Sequence, residues 1–167
     1  VYVTAHTTRE QYDTYFDFGD VKQGRLRYRE DQLIQPDGSK TPIYTLTLSG
    51  PAKEAEFEHS VVLSRSRFTA PADRSLRFYR EYFAPTRELE VAKRRERYHI
   101  RYKGLDFAVN VDHLMMPDAQ HEYLEVKSRT WSEQDAVRKA TLIGELLHLF
   151  GATDDDMLLG EYPDLLH

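Results

Sequence analysis

The sequence predicts an α+β fold, mainly an antiparallel β-sheet or β-barrel with flanking helices. Three features lead to this prediction: segments that alternate like strands, short turn-rich connections between them, and only two segments with clear helical spacing. These patterns indicate about seven strands and two helices. Because connections of hairpin length join antiparallel neighbours, an antiparallel sheet or barrel is favoured over a parallel one.

The strands are recognised by the alternation of their side chains and by turn residues at their ends. Residues 19–20 and 36–38 carry Gly and Asp, which are typical of tight turns, after the first and second strands. The predicted strands span residues 11–18, 24–30, 43–48, 54–65, 88–102, 107–114 and 121–129.

The first predicted helix spans residues 73–83. Its apolar residues Leu76, Tyr79 and Phe83 have the i, i+3, i+7 spacing of one helix face. Asp73 has the right chemistry for an N-cap, so we expect the helix to begin there.

The second predicted helix spans residues 132–150 and has the clearest helical pattern in the chain. Ser132 can cap its first turn together with Asp135, and Gly151 follows its last apolar residue. The tail, residues 162–166, is expected to dock as one short segment.

Length and composition limit the function classes. The 167 residues suit one domain, expected to span residues 1–167, and the chain has no cysteine, which excludes disulfides and is compatible with a cytoplasmic location. The net charge of -5 argues against general affinity for nucleic acid or an anionic membrane. No stretch approaches the ~18 apolar residues of a membrane-spanning helix.

Several predicted strands carry like charges on one face. Side chains at every second position of a strand point to the same side, roughly 6.6–6.8 Å apart. The cationic sets are Arg25, Arg27 and Arg29, and later Lys93, Arg95 and Arg97. The acidic set is Glu54, Glu56 and Glu58, and Asp112 and Glu125 fall on the last two strands.

Two interpretations of these charged faces are open. If they converge inside a barrel, the cationic wall suits phosphate, which Arg binds bidentately, and the acidic wall suits Mg²⁺ or Mn²⁺. If they are solvated outer faces, they form ordinary cross-strand ion pairs. The strand pattern alone does not decide between a phosphate site and a solvated surface.

Short motifs follow one another in a fixed order along the chain. Residues 13–17 read DTYFD, residues 26–30 read LRYRE, and residues 46–51 read LTLSGP. A later basic strand lies at residues 93–95, and two closing acidic strands lie at residues 111–114 and 123–126. In this order the motifs resemble those of the CYTH, or triphosphate tunnel, superfamily, in which the third motif reads LTLKGP.

The resemblance implies an eight-stranded antiparallel tunnel that acts on inorganic triphosphate or a nucleoside triphosphate with Mg²⁺ or Mn²⁺. By position, the residues expected to bind substrate are Arg25, Arg27, Arg29, Lys93 and Arg95. Glu56, Glu58 and Glu125 are expected to be catalytic and to hold metal, and Asp112 is a further metal candidate.

Three departures from the family pattern widen the range of expected functions. The opening ExExK strand is not found in the eleven residues before Tyr12, Ser49 replaces the lysine of LTLKGP, and Lys127 replaces the second Glu of the closing ExE. The chain is therefore expected to be a fragment, with an attached P-loop uridine-kinase-like module as one candidate, or a site that binds without hydrolysis. Metal-dependent hydrolysis is the first hypothesis; the alternatives are a regulatory polyphosphate- or nucleotide-binding module and a polyphosphate polymerase or adenylate cyclase.

Overall fold

The structure is a computed structural model that describes residues 1–50, 53–58, 61–64, 67–117 and 120–166. Its strands are β1 (Tyr2–Asp17), β2 (Arg25–Ile34), β3 (Lys40–Ser49), β4 (Lys53–Glu56), β5 (Val62–Ser64), β6 (Arg67–Pro71), β7 (Arg87–Tyr102), β8 (Leu105–Met116) and β9 (Glu122–Lys127). Its α-helices are α1 (Leu76–Phe83), α2 (Glu133–Leu149) and α3 (Tyr162–Leu165).

The main sheet has seven strands in the order β6-β3-β2-β1-β7-β8-β9, and each neighbouring pair is antiparallel. Strands β4 and β5 form a separate two-stranded hairpin. The predicted α+β class with a mainly antiparallel sheet is confirmed. The predicted closed β-barrel is not observed, because in the described residues the short strands β6 and β9 form the two edges of the sheet and do not pair with each other.

The two longest strands, β1 and β7, form the centre of the sheet. Each has 16 residues, and they pair from Tyr2 to Asp17 on β1. Strand β1 is thus longer than the predicted segment 11–18. Its first half shows little alternation of apolar and polar residues, but it is extended because it pairs with β7. The predicted single strand 54–65 is instead the hairpin of β4 and β5, and strand β6 was not predicted.

Register places the charged residues of several strands on one side of the sheet. On β1, Asp13 lies opposite Arg29 and Tyr15 lies opposite Arg27 on β2, while Gln11 lies opposite Lys93 on β7. Because directly paired residues point to the same side, these side chains share one face. We call it the inner face.

Helix α1 packs on the opposite, outer face of the sheet. Phe16 and Leu26 are buried there against Tyr79 of the helix. The helix begins after Ser75, whose hydroxyl accepts a hydrogen bond from the Phe78 N–H at 3.3 Å. Asp73, the predicted cap, instead accepts a hydrogen bond from the Tyr79 hydroxyl, so the predicted start of this helix was wrong.

Helix α2 follows the last strand and forms the largest apolar cluster. Ser132 caps it by accepting a hydrogen bond from the Asp135 N–H at 3.1 Å, as the sequence predicts. Its apolar side packs on strands β7 and β8, where the buried residues are Leu142, Ile143, Leu146, Ile100, Phe107 and Val109. In the described part of the chain, no helix has the length and apolar character needed to cross a lipid bilayer.

Candidate anion-binding site

The inner face borders a cavity of about 1520 Å³. This volume exceeds the roughly 300–1,000 Å³ of an ordinary small-molecule pocket. All five predicted substrate-binding residues line it, namely Arg25, Arg27, Arg29, Lys93 and Arg95. The structure therefore brings the whole cationic set of β2 and two members of the set of β7 to one cavity, whereas the third member, Arg97, is not among its lining residues.

Asp13 on β1 holds together the cationic residues of the neighbouring strands. Its carboxylate accepts hydrogen bonds from Arg29 Nε and Nη2 at 2.6 and 2.7 Å and from Lys93 Nζ at 2.9 Å. Burial alone would raise the pKa of Asp13, but the charges of Lys93 and Arg29 outweigh it and hold that pKa well below its ordinary value. Burial lowers the pKa of Lys93 to about 8, although Asp13 opposes the change.

Asp112 on β8 fixes Arg95 in the same bidentate way. Arg95 Nε and Nη2 donate to the two carboxylate oxygens of Asp112, each at 2.6 Å, and the Tyr162 hydroxyl donates to Asp112 Oδ2, also at 2.6 Å. The Tyr162 ring lies under Lys93 Nζ, 4.5 Å from it. Both oxygens of Asp112 are thus occupied by protein donors, and the carboxylate is buried beside the cavity.

Two guanidinium groups of the inner face have no carboxylate partner within the described ranges. Arg27 Nη2 donates a long hydrogen bond of 3.4 Å to Thr47 Oγ1, and its buried Nε has no hydrogen-bond acceptor among the described residues. Arg97 Nε donates to Asn110 Oδ1 at 2.9 Å. Burial, reinforced by neighbouring Arg residues, lowers the pKa of both groups. An anion in the cavity would relieve this unfavourable burial of charge at Arg27, which lines the cavity.

Arg25 differs from the other cations because three carboxylates surround it. Its guanidinium contacts Asp17 at 2.7 Å, Asp164 at 2.9 Å and Glu161 at 3.3 Å. Burial opposes the effect, but the hydrogen bonds to Asp164 and Asp17 raise the pKa of Arg25. Ser49, which stands where the family pattern has lysine, lies on β3 opposite Arg25 of β2 and also lines the cavity.

Glu125 is the predicted metal-binding carboxylate that lines the cavity. It accepts hydrogen bonds from Asn110 Nδ2 at 2.6 Å and from Lys127 Nζ at 2.9 Å. Desolvation at the cavity would raise its pKa, but the charges of Lys127 and Arg95 lower it below the ordinary value, and its side chain stays 49% exposed. Lys127, which stands where the family pattern has a second Glu, therefore neutralises the carboxylate beside it.

The structure places the predicted acidic set of β4 differently from the cationic sets. Phe57 lines the cavity, whereas the neighbouring Glu56 and Glu58 are exposed and are not among its lining residues. The side chain of Glu54 lies outside the described residues. The catalytic and metal-binding roles of Glu56 and Glu58 stay predictions.

The described residues do not by themselves fit a divalent metal. In residues 1–50, 53–58, 61–64, 67–117 and 120–166, no group of three or more His, Asp or Glu side chains is arranged to hold such an ion. Asp13, Asp112 and Glu125 each already accept hydrogen bonds from a cationic side chain. Metal binding at Asp13 or Asp112 would compete with these donors, whereas both contacts of Glu125 fall on its Oε1.

Three residues of the site were not predicted as site residues. Asp13 lies in the DTYFD motif, and its alternation with Thr14 and Phe16 is the sequence signal that could have placed it on the inner face. Arg97 follows the same alternation as Lys93 and Arg95. Tyr162 lies 50 residues from Asp112, its hydrogen-bond partner, and no local pattern points to that contact.

Comparison with known proteins agrees with this architecture. Residues 1–156 match the CYTH domain family. Among solved structures, the PH1819 protein from Pyrococcus horikoshii OT3 is similar, with a TM-score of 0.72 and 18% identity over 96% of this chain and 84% of that one. At that identity the likeness concerns the fold alone. No protein of curated function matches the chain. The motif order, the curled sheet with a cationic inner face and the match over residues 1–156 together identify the chain as a member of the CYTH family, within the triphosphate tunnel superfamily.

Proposed function

We propose that the inner face binds the triphosphate chain of inorganic triphosphate or of a nucleoside triphosphate. CYTH domains generally bind triphosphate or nucleotide ligands. The observation that carries the proposal for this chain is Arg27, a cavity-lining cation without a carboxylate partner in the described part of the chain and with a buried N–H lacking an acceptor. Phosphate oxygens supply both the missing charge and the missing acceptor.

The neighbouring cations have donors left over for the same site. Asp13 and Asp112 each occupy Nε and Nη2 of one guanidinium group, so Nη1 of Arg29 and of Arg95 lies outside these ion pairs. Each can donate to a phosphate oxygen without losing its carboxylate. Such preorganised donors reduce the entropy lost on binding.

Isothermal titration calorimetry with tripolyphosphate and with ATP tests the binding proposal. Arg27→Gln should weaken binding by about 1.5–3 kcal/mol, the value of a hydrogen bond to a charged group, or roughly ten- to hundredfold in Kd. Arg77→Gln is a matched control, because that exposed cation of α1 pairs only with Glu81 among the described residues. Equal affinity in Arg27→Gln and in the wild type would refute the proposal.

Hydrolysis of the bound chain is the second candidate function. CYTH enzymes generally use divalent metals, and the resemblance assigns catalytic and metal-binding roles to Glu56, Glu58 and Glu125, with Asp112 as a further metal candidate. Glu125 favours this candidate because its carboxylate lines the same cavity as the cations. Glu125, with Glu56 and Glu58, would be the residues to hold a metal, which would supply positive charge to the phosphate oxygens. The residues of the inner face would bind and orient the phosphate chain.

Product analysis distinguishes the remaining activities. Incubation with ATP or tripolyphosphate and with Mg²⁺ or Mn²⁺ should release orthophosphate if the protein is a hydrolase. Pyrophosphate together with cyclic AMP would identify a cyclase, and longer phosphate chains a polymerase. Tight binding with no product under either metal would identify a regulatory binding module.

A further inference from the structure

Edge strand β9 brings a carboxylate and an ammonium group side by side to the cavity. Glu125 and Lys127 are two positions apart on this strand, so their side chains point to the same face, and both residues line the cavity. Lys127 Nζ lies 2.9 Å from Glu125 Oε1, and each side chain is about half exposed. The ion pair is therefore within reach of a ligand in the cavity.

Asn110 of β8 fixes Glu125 in this arrangement. It lies between Arg97 of β7 and Glu125 in the sheet register. Its Nδ2 donates to Glu125 Oε1 at 2.6 Å, and its Oδ1 accepts from Arg97 Nε at 2.9 Å. Because a guanidinium group can only donate and a carboxylate can only accept, one orientation of the amide satisfies both partners. Glu125 Oε1 thus has two protein donors, an amide and an ammonium group.

The part of the inner face next to this pair carries more cations than carboxylates. The cations are Arg27, Arg29, Lys93, Arg95, Arg97 and Lys127, and the carboxylates that contact them are Asp13, Asp112 and Glu125. The carboxylates around Arg25 belong to the other end of the face, beside α3. Free tripolyphosphate carries more negative charge than its Mg²⁺ complex, so the surplus of cations attracts the free anion more strongly.

Lys127 adds as much positive charge to the site as a divalent ion would. It stands where the family pattern has a second Glu, and exchanging a carboxylate for an ammonium group changes the charge by two units, which is the charge of Mg²⁺. An ammonium group is a compact charge with several N–H donors. Lys127 can therefore keep its contact with Glu125 and donate to a phosphate oxygen as well.

We propose that Lys127 takes the place of a divalent cation in phosphate binding, so that the inner face binds the triphosphate chain as the metal-free anion. Lys127 is then a specificity-determining residue, because its charge favours the free anion over the Mg²⁺ complex. The inference rests on the proposed function, since it states the form in which the same site takes the phosphate chain. It concerns the binding step, whereas product analysis decides about hydrolysis.

Calorimetric titration with and without metal tests the inference. The probe is the imido analogue of tripolyphosphate, in which N–H groups replace the bridging oxygens and prevent hydrolysis. The protein should bind it at least as tightly in EDTA as in excess Mg²⁺ or Mn²⁺. Tighter binding with either metal than in EDTA would overturn the role of Lys127 and leave the proposed function intact. If the analogue binds under none of these conditions, both proposals fall.

Reversing the charge of Lys127 should make binding depend on metal. In EDTA, Lys127→Glu should bind the analogue roughly ten- to hundredfold more weakly than the wild type, and excess Mg²⁺ should restore part of the affinity. Arg77→Glu is the matched control, because it changes the net charge equally at an exposed position of α1, and it should leave the affinity unchanged.

Lys127→Met separates the loss of the ammonium group from the added carboxylate. It keeps most of the apolar stem, so it serves as the test if Lys127→Glu does not fold. In EDTA it should bind the analogue roughly tenfold more weakly than the wild type. Wild-type affinity in EDTA in a folded Lys127 variant, or an equal loss in Arg77→Glu, would overturn the assignment.

Discussion

Asp13→Asn is the substitution that most directly tests how the inner face is held together. Asp13 is 2% exposed and accepts three charge-assisted hydrogen bonds, two from Arg29 and one from Lys93. Asparagine has nearly the same shape, but it carries no charge, and its amide N–H groups would face cationic donors. The substitution therefore changes the electrostatics of the site and leaves its packing volume in place.

The expected magnitude follows from the burial of all three partners. Removing one member of a buried ion pair costs about 3–5 kcal/mol, because the remaining charge is left uncompensated. Lys93 is 1% exposed and Arg29 is 8% exposed, so neither can turn to solvent. In a chain of this size about 3–5 kcal/mol corresponds to a decrease in Tm of about 6–20 °C.

Asp17→Asn is the matched control, on the same strand and the same face. Asp17 contacts Arg25, which keeps Glu161 and Asp164 as partners, and its side chain is 26% exposed. We expect a loss of about 0–1 kcal/mol for this half-exposed pair. Both variants are compared with the wild type by urea denaturation and by calorimetric titration with tripolyphosphate at pH 7.

The result that would refute the reasoning is equally specific. If Asp13→Asn loses no more free energy of unfolding than Asp17→Asn, the buried pairs of Asp13 do not stabilise the inner face. The pH dependence gives a second check on the wild type. Because the pKa of Asp13 is lowered in the folded protein, its contribution is present above the unfolded value of about 4 and is lost as the pH falls below it.

Three further predictions concern other residues of the site. Folding lowers the pKa of Lys93 from 10.5 to about 8, so between pH 8 and pH 10.5 the unfolded chain holds a proton that the folded protein has released. The free energy of unfolding should therefore rise with pH across this range. A urea-denaturation series at several pH values should show the rise in the wild type and its absence in Lys93→Met. Tyr162→Phe removes the hydrogen bond to Asp112 and should lower the free energy of unfolding by about 1.5–3 kcal/mol. Tyr82→Phe, at an exposed tyrosine of α1, is the control, and a smaller loss in Tyr162→Phe than in this control would contradict the prediction. Glu125→Gln should abolish orthophosphate release if Glu125 is catalytic, while retained release with Mg²⁺ or Mn²⁺ would remove Glu125 from the catalytic set.

Strand alternation predicted much of the cationic part of the site. Side chains two positions apart on a strand must share a face, so Arg27 and Arg29 had to point together, as did Lys93 and Arg95. The helix α2 was also predictable, because its apolar spacing and its Ser132 cap are local signals. The N-terminal half of β1 was not, since it owes its extended form to pairing with β7.

The sequence by itself determined which cations share a strand face and that the chain forms a mainly antiparallel fold. The tertiary structure alone decided which carboxylate neutralises which cation, because that depends on strand order and register over long separations. Asp13 contacts Lys93 only because β1 lies between β2 and β7. Likewise, Arg27 lacks a carboxylate in the described residues while Arg25 has three, because Asp17 of β1 lies opposite Arg25 and the return of α3 to this end of the sheet adds Glu161 and Asp164. Alternation is a property of neighbouring residues, whereas neutralisation is a property of distant segments brought together by folding.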